Sequence, residues 1–414
     1  MSDDTGLADA TSFSGAAGPA DTATLAARAG PSASTAAFSV RQLRRADLSG
    51  CAAWPLAFAG HRKDHRYYEI VEDTLRDGFD YGYLAIQDAT GVPRAVQPFF
   101  LLDQDILEGL GPLSQRWLTR IRRLFPRFLK LRTLMVGCAA GEGHLAGSAS
   151  LSQDQVAEIL SREIINQAAI CRASLIVLKE FPACYRTTLD CFVRRGFTRA
   201  PSMPMTTLNI SYDSFESFMS QSLSRSTRWQ LRKKFKATAG EIIHLSVADN
   251  ATPAIDEIHA LYRQVLHRSK FRFEILTPDY FSRVGRDMND NTRFLLWRRG
   301  PKLVAFCLCM VEGDTLCWEY VGLDYTVALD LHLYYRCVRD MMMWAIDNGY
   351  KRLRSTGLSY EPKFRMGHRL DPLDLYARHT SKIANVLFGR MLPWIVPARY
   401  DKALRQFENY RDLW

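Results

Sequence analysis

Thr315-Leu-Cys-Trp-Glu-Tyr-Val321 is the stretch on which the fold turns. Its large apolar and aromatic residues read as a strand. Before it, Phe294–Arg298 and Leu303–Val311 flank the turn Arg299-Gly-Pro-Lys302, so the three segments form a hairpin and a third antiparallel strand. After it come a long helix expected over Ala328–Asn348, closed by Gly349, and a strand over Lys351–Ser355. A short segment around Tyr360–Met366 then ends in Gly367-His368. On the N-terminal side, Ile255, Ile258, Leu261, Tyr262 and Val265 recur at helical spacing and predict an amphipathic helix over Asn250–His267.

The first half repeats this order. Gly82–Gln87 and Arg94–Leu102 predict a hairpin around the turn Asp88–Pro93, and Thr133–Val136 predicts a short strand. Ser152 and Gln155 form a capping box for a helix to about Arg172. The strand Ser174–Leu178 and a short helix ending at Gly196 follow. Gly196 and Gly367 are 171 residues apart, as are Pro201 and Pro372, which with the shared order predicts a duplicated lobe. The expected class is α/β (α+β): two tandem lobes, each a mixed, mainly antiparallel sheet flanked by helices. The expected divisions are a disordered tail over 1–36, a first lobe over 37–212, a basic connecting helix over 213–240, a second lobe over 241–400 and a tail over 401–414.

Composition narrows the function. The chain has 414 residues and a formal net charge of +10, which favours acidic partners such as nucleic acid, anionic lipid, an acidic carrier protein or a phosphorylated substrate. Nine cysteines, an odd number with no C-x-x-C, predict reduced thiols and neither a disulfide framework nor a zinc site. No secretory signal pattern opens the sequence and no run is long enough to span a membrane, so a cytoplasmic location is expected. The nearest apolar run, Ile383–Val396, is broken by Arg390 and Pro393; it reads as a packed terminal helix, with peripheral membrane contact as the alternative. Gly-x-Ser-x-Gly does not occur and no predicted helix carries metal ligands at His-x-x-x-His spacing, which argues against hydrolase and metalloenzyme chemistry.

Several residues are candidates for chemistry. Glu319, beside Trp318 and Tyr320 at a strand end, is a candidate general base. Asp324 lies just beyond that strand, where a turn role is the plain alternative. His332 is expected near the start of the long helix; Leu331, Tyr334, Tyr335 and Val338 share one face of it, the ordinary signature of core. Lys363, Arg365 and His368 form a compact positive cluster suited to a phosphate or carboxylate. Arg225, Arg228, Arg232 and Lys236 share a helix face that suits phosphates or the acceptor stem of a tRNA. A second basic stretch, with Arg116, Arg120 and Arg127, suits anionic lipid.

The order of hairpin, central strand, long helix, strand and helix resembles the GNAT superfamily of N-acyltransferases. In tandem form it resembles the FemAB-like peptidoglycan aminoacyltransferases and the CelD/BcsL-like acetyltransferases. Phe215–Leu223 with Ser224–Phe235 is similar to the basic helix between their lobes, and Glu361–Gly367 to their late lysine-to-glycine signature. The resemblance implies acyl transfer from acyl-coenzyme A or another activated donor to an amine or hydroxyl. Its alternatives are tRNA-dependent aminoacyl transfer onto a cell-envelope precursor and a non-catalytic binding protein of the same fold. It also implies a small-molecule or cell-envelope acceptor, with an acyl carrier protein or tRNA as partner. It further implies Glu319, Asp324 and Tyr335 as catalytic groups, with Trp318, Tyr320, His332, Lys363, Arg365 and His368 around the substrate. The backbone of Val321, Gly322 and Leu323 would hold the donor. One departure stands out: the R-x-x-G-x-G/A phosphate loop expected after the central strand is replaced by Glu319–Ala328, which carries one glycine.

Overall fold

The computed structural model describes residues 38–105, 130–269 and 272–414. The expected N-terminal tail and most of the basic stretch around 113–131 lie outside the described residues.

The strands are β1 (Ser39–Leu43), β2 (Asp80–Gln87), β3 (Pro93–Asp105), β4 (Lys130–Val136), β5 (Leu175–Pro182), β6 (Thr198–Pro201), β7 (Met205–Asn209), β8 (His244–Ala248), β9 (Thr292–Arg299), β10 (Lys302–Glu312), β11 (Thr315–Leu323), β12 (Arg352–Ser355), β13 (Arg369–Asp371) and β14 (Leu373–His379). The helices are α1 (His65–Thr74), α2 (Gln153–Ile170), α3 (Asp190–Arg194), α4 (Phe215–Ser222), α5 (Arg225–Ala237), α6 (Ile255–Arg268), α7 (Pro278–Asp287), α8 (Leu333–Asp347), α9 (Tyr360–Arg365) and α10 (Lys382–Ile395).

The strands form two seven-stranded sheets of the same plan: β1-β2-β3-β4-β5-β14-β6 and β8-β9-β10-β11-β12-β7-β13. Each has one parallel pair, β4 with β5 and β11 with β12, and is otherwise antiparallel. This is the mainly antiparallel tandem arrangement that the sequence predicted. The halves also exchange a strand. β14 sits between β5 and β6 of the first sheet, and β7 sits between β12 and β13 of the second. The break expected at 212/213 therefore separates β7 in sequence from the sheet it joins.

Alternation along β9 and β10 explains how the second sheet is covered. Phe294, Leu296, Phe306, Leu308 and Met310 face a core shared with α6, α7 and the first sheet. Leu295, Trp297, Cys307 and Cys309 face the opposite core, with Cys337, Met341 and Met342 of α8. Burial of both faces stabilises the second half at about 25 cal/mol per Å² of apolar surface removed from water. The Ser152–Gln155 capping box forms as expected. The segment expected as a C-terminal tail packs: Leu404, Phe407 and Leu413 are buried against Tyr360 and Leu370. All nine cysteines are free thiols.

Candidate active site

The site begins where two strands part. β11 pairs with β10 along its whole length, but with β12 only from Thr315 to Trp318, opposite Arg352 to Ser355. The last ties are Thr356 N–H to the Trp318 carbonyl and Thr356 Oγ1 to the Glu319 carbonyl, both 3.3 Å. The chain then turns away through Leu358 and Ser359, whose φ angles of 75° and 50° are left-handed. Such conformations cost on the order of 1–3 kcal/mol each and cluster at functional sites. Residues Glu319 to Leu323 are thus left with an edge that β12 does not pair.

A bulge shapes that edge. Leu308 opposes Tyr320 and Cys309 opposes Trp318, so Glu319 is the extra residue. The strand's alternation slips by one there: Glu319 reaches Arg62 and Lys63 of the first half, while Tyr320 packs among Tyr262, Tyr280 and Phe281.

Glu319 enters a buried ion cluster joining the halves. Its Oε1 accepts from Arg62 Nε at 2.7 Å and its Oε2 lies 2.8 Å from Lys63 Nζ. Arg62 also pairs with Glu142, and Lys63 Nζ donates to Glu142 Oε2 at 3.0 Å. These four side chains are at most 2% exposed. Arg62 reaches Glu312 at 3.2 Å, and Arg354 links Glu142 at 3.4 Å to Asp371 at 2.6 Å. Burial opposes charge on Lys63, yet Glu142 and Glu319 outweigh it and hold its pKa above the ordinary lysine value. Burial likewise opposes charge on Glu142, and Arg62 and Lys63 outweigh it, so this carboxyl stays well below the usual range. The expectation of Glu319 as general base meets a physical obstacle here: both oxygens are engaged by cations and the side chain is buried. The geometry makes it a counter-ion that ties the sheets together.

The other expected residues divide. Asp324 is a buried turn residue: Thr326 N and Oγ1 donate to its Oδ1 at 3.0 and 2.6 Å, and Lys302 Nζ lies 2.6 Å from Oδ2. Burial acts to raise its pKa, but these partners prevail and hold it ionised, which suits a turn and not proton transfer. The capped turn also delays the long helix, which starts at Leu333 instead of Ala328. His332 is its left-handed N-cap, with its imidazole pKa lowered by burial and then by Lys234. Tyr335 is half-buried, with Lys234 Nζ 5.0 Å from its ring centre. Trp318 packs against Tyr334 in a tilted pair, 5.8 Å between ring centres, and donates from Nε1 to the Tyr320 carbonyl at 3.2 Å. Val321, Gly322 and Leu323 lie opposite Cys307, Phe306 and Ala305 of β10. A Cβ on Gly322 would lie 2.3 Å from the Phe306 ring and 2.8 Å from the Leu261 backbone. This glycine therefore serves the close approach of α6, whatever the edge beside it binds.

Lys363 stands at the parting of the strands. Its side chain is buried in α9, and Nζ donates to the carbonyls of Thr356 at 2.5 Å and Leu358 at 3.0 Å. No carboxylate pairs with it among the described residues, and burial pushes its pKa down to about 7. His368 contacts Thr206 Oγ1 through Nδ1 at 3.2 Å; burial, with Lys363 adding to it, pushes this imidazole down to about 3. Arg365 is apart from them, exposed and paired with Glu361 at 2.8 Å. On α5, Arg225 and Lys236 are exposed. Arg228 donates to the carbonyls of Ser220 and Leu223, both at 2.9 Å, and Arg232 pairs with Glu216.

Sequence reasoning missed a second group beside Tyr320. The Tyr320 hydroxyl donates to Glu274 Oε1 at 3.2 Å. Burial raises the Glu274 pKa above the ordinary carboxylate value, against the pull of Lys179. Lys179 Nζ donates to the Gly141 carbonyl at 2.8 Å, meets Glu180 Oε2 at 2.5 Å and lies 5.0 Å from the Phe273 ring centre. Glu180 has φ 56°, a left-handed residue inside a strand, and its carbonyl accepts from Gly143 N–H at 3.1 Å. A Cβ on Gly143 would lie 2.5 Å from the Lys179 carbonyl, so the crossing requires glycine. The signal available was Gly137-x-x-x-Gly141-x-Gly143 directly after a strand.

A curated relative from Mycobacterium tuberculosis (strain CDC 1551 / Oshkosh), a putative 8-amino-7-oxononanoate synthase 2, is 23% identical over 333 residues, covering 78% of this chain. The chain spans 43% of that relative's length. Similar solved structures include FemX, at 10% identity and TM-score 0.48 over 81% of this chain and 96% of that one. L-PGS from Bacillus licheniformis is similar at 12% identity and TM-score 0.45, over 78% and 95% of the two chains. A tandem GNAT protein from the clavulanic acid biosynthesis pathway gives 8% and 0.46, over 83% and 99%. The family profile described as FemAB-like, peptidoglycan biosynthesis/recognition, matches residues 139–382, more than half of the chain. The chain belongs to the FemAB-like family.

Proposed function

We propose that this protein is an acyltransferase that moves an aminoacyl or acyl group from an activated donor to an amine or hydroxyl of a cell-envelope precursor. The observation that carries the reading is the parting of β11 from β12 after Trp318, with the buried amine of Lys363, held by the Thr356 and Leu358 carbonyls, at its mouth. A carbonyl laid along an open strand edge is polarised by backbone N–H groups, and preorganised donors of this kind stabilise a tetrahedral intermediate. The acceptor atom attacks that carbonyl, loses its proton to a nearby base and expels the donor's ester or thioester atom, which takes up a proton. Glu274, held by the Tyr320 hydroxyl, is our candidate for the proton transfers, in place of Glu319. Lys363 fits a role at the donor, where an amine that titrates near neutrality can gain or give a proton.

Between donors, the segment after β11 favours an aminoacyl ester over a coenzyme A thioester. It runs through nine residues of turn before α8 begins at Leu333, with the left-handed His332 at the cap. A helix N-terminus directly after the strand, the usual pyrophosphate cradle, is not formed there. The test is single-turnover transfer to a peptidoglycan precursor from three labelled donors: aminoacyl-tRNA, acyl-coenzyme A and acyl carrier protein. Transfer from the first alone supports the whole reading, and transfer from another reassigns the donor. Absence of transfer with all three, despite donor or acceptor binding, supports a non-catalytic binding protein.

A further inference from the structure

We propose that α10 is a membrane-surface anchor that lays one face of the protein on an anionic lipid bilayer. One side of this helix is fastened to the first sheet. Asn385 accepts from His379 N–H at 2.8 Å and donates to the Gly196 carbonyl at 2.9 Å, Leu392 is buried, and a Cβ on Gly389 would lie 2.7 Å from Thr198 Oγ1. The opposite side is apolar and open. Ile383 is 80% exposed, Val386 55%, Leu387 58%, Met391 58% and Trp394 62%. Their spacing of three and four residues makes one continuous stripe, and an exposed stripe of this kind marks an interaction site.

The last turn is built to present it. Arg399 Nε donates to the Pro393 carbonyl at 3.0 Å, the Tyr400 hydroxyl donates to the Trp394 carbonyl at 2.5 Å, and the Arg399 guanidinium stacks 4.3 Å from the Trp394 ring. These ties hold the tryptophan outward at the helix end, where an interfacial ring sits among lipid headgroups. Charge selects the occupant. From Leu375 to Tyr400 the chain carries Arg378, Lys382, Arg390 and Arg399 and not one Asp or Glu. Arg390 shares the open side, and its long stem can lie along apolar surface while its charge reaches a phosphate. Among the described residues no helix is long and apolar enough to cross a membrane, so the surface lies on the bilayer. The inference does not rest on the acyltransfer reading, because lipid binding is measured without a donor.

The experiment is co-sedimentation of the full chain with vesicles of phosphatidylglycerol or of phosphatidylcholine, at low and high salt. Binding to the anionic vesicles is expected to exceed binding to the neutral ones by at least tenfold and to weaken with salt. The triple variant Leu387→Gln, Met391→Gln, Trp394→Gln is expected to lose that binding while melting at the wild-type temperature, since its sites are exposed. The pair Lys382→Glu, Arg390→Glu is expected to lose the preference for anionic lipid. Equal binding by the triple variant and wild type would overturn the proposal. So would failure to bind either vesicle, or a wild-type dimer in solution that the triple variant turns into a monomer, which would assign the stripe to a second copy.

Discussion

Arg62 Nε and Glu319 Oε1 meet at 2.7 Å across 257 residues of sequence, inside a buried ion cluster. Removing one partner of a buried pair strands the other, at a cost of about 3–5 kcal/mol. Glu319→Ala therefore lowers unfolding stability by roughly that amount, and Arg62→Met does the same. Urea denaturation of both variants checks this. A Glu319→Gln protein of wild-type stability that has lost only turnover would instead return Glu319 to the role of base.

Lys363 gives stability a pH dependence of definite sign. Its folded pKa is near 7 against an ordinary 10.5, so between those values the unfolded chain binds a proton that the folded chain has released. Stability therefore rises with pH across that window, by on the order of 1 kcal/mol per unit at most. Lys363→Met is expected to flatten the rise in chemical denaturation curves and to abolish group transfer. A slope unchanged in the variant would place the ammonium in a solvated setting.

His368 acts lower on the scale. Its imidazole is neutral in the fold down to about pH 3, whereas an unfolded histidine takes a proton near 6.5. The stability this provides is fully present above 6.5 and is lost as the pH falls toward 3. His368→Gln should resist acid better than wild type over that interval, read from circular dichroism at fixed temperature. An identical acid midpoint would count against the buried neutral ring.

What the chain disclosed in advance follows a physical pattern. The hairpins, the Ser152 capping box and the β11 strand were legible because each is written in a short window of turn residues and periodic apolar groups. The 171-residue offset anticipated two sheets of one plan, but not that β7 and β14 change places, since strand pairing is set by contacts remote in sequence. Glu319 drew attention as a carboxylate among aromatics, yet its ion pairs with Arg62 and Lys63 were not legible because those partners lie in another half. Glu274 had no periodicity to advertise it; burial beneath Tyr320 gives it its character, and burial is a tertiary property. The run Ile383–Val396 left a packed helix and peripheral membrane contact both open, because an apolar helix face does not say whether protein or lipid covers it.

Gly322 tests what holds the face of β11. A methyl there meets the Phe306 ring and the Leu261 backbone of α6, and overpacking of this kind costs about 1–3 kcal/mol. Gly322→Ala should lower the melting temperature whether or not a donor is present. A variant with normal melting but weakened donor binding would show that the glycine serves the ligand instead of the helix.

The basic helix α5 separates the donors. Arg228 and Arg232 are occupied within the protein, by the Ser220 and Leu223 carbonyls and by Glu216, so reversing them would disturb α4 as well as any ligand. Arg225 and Lys236 are exposed and can be reversed with less effect on the fold. If tRNA lies along this helix, Arg225→Glu with Lys236→Glu removes two phosphate contacts. The slope of log affinity against log salt then falls by roughly 0.7 to 0.9 per contact, while melting is unchanged. Filter binding across a salt series measures both slopes. Equal slopes for wild type and variant would mean that nucleic acid does not use this face, and the donor would have to be sought among the thioesters.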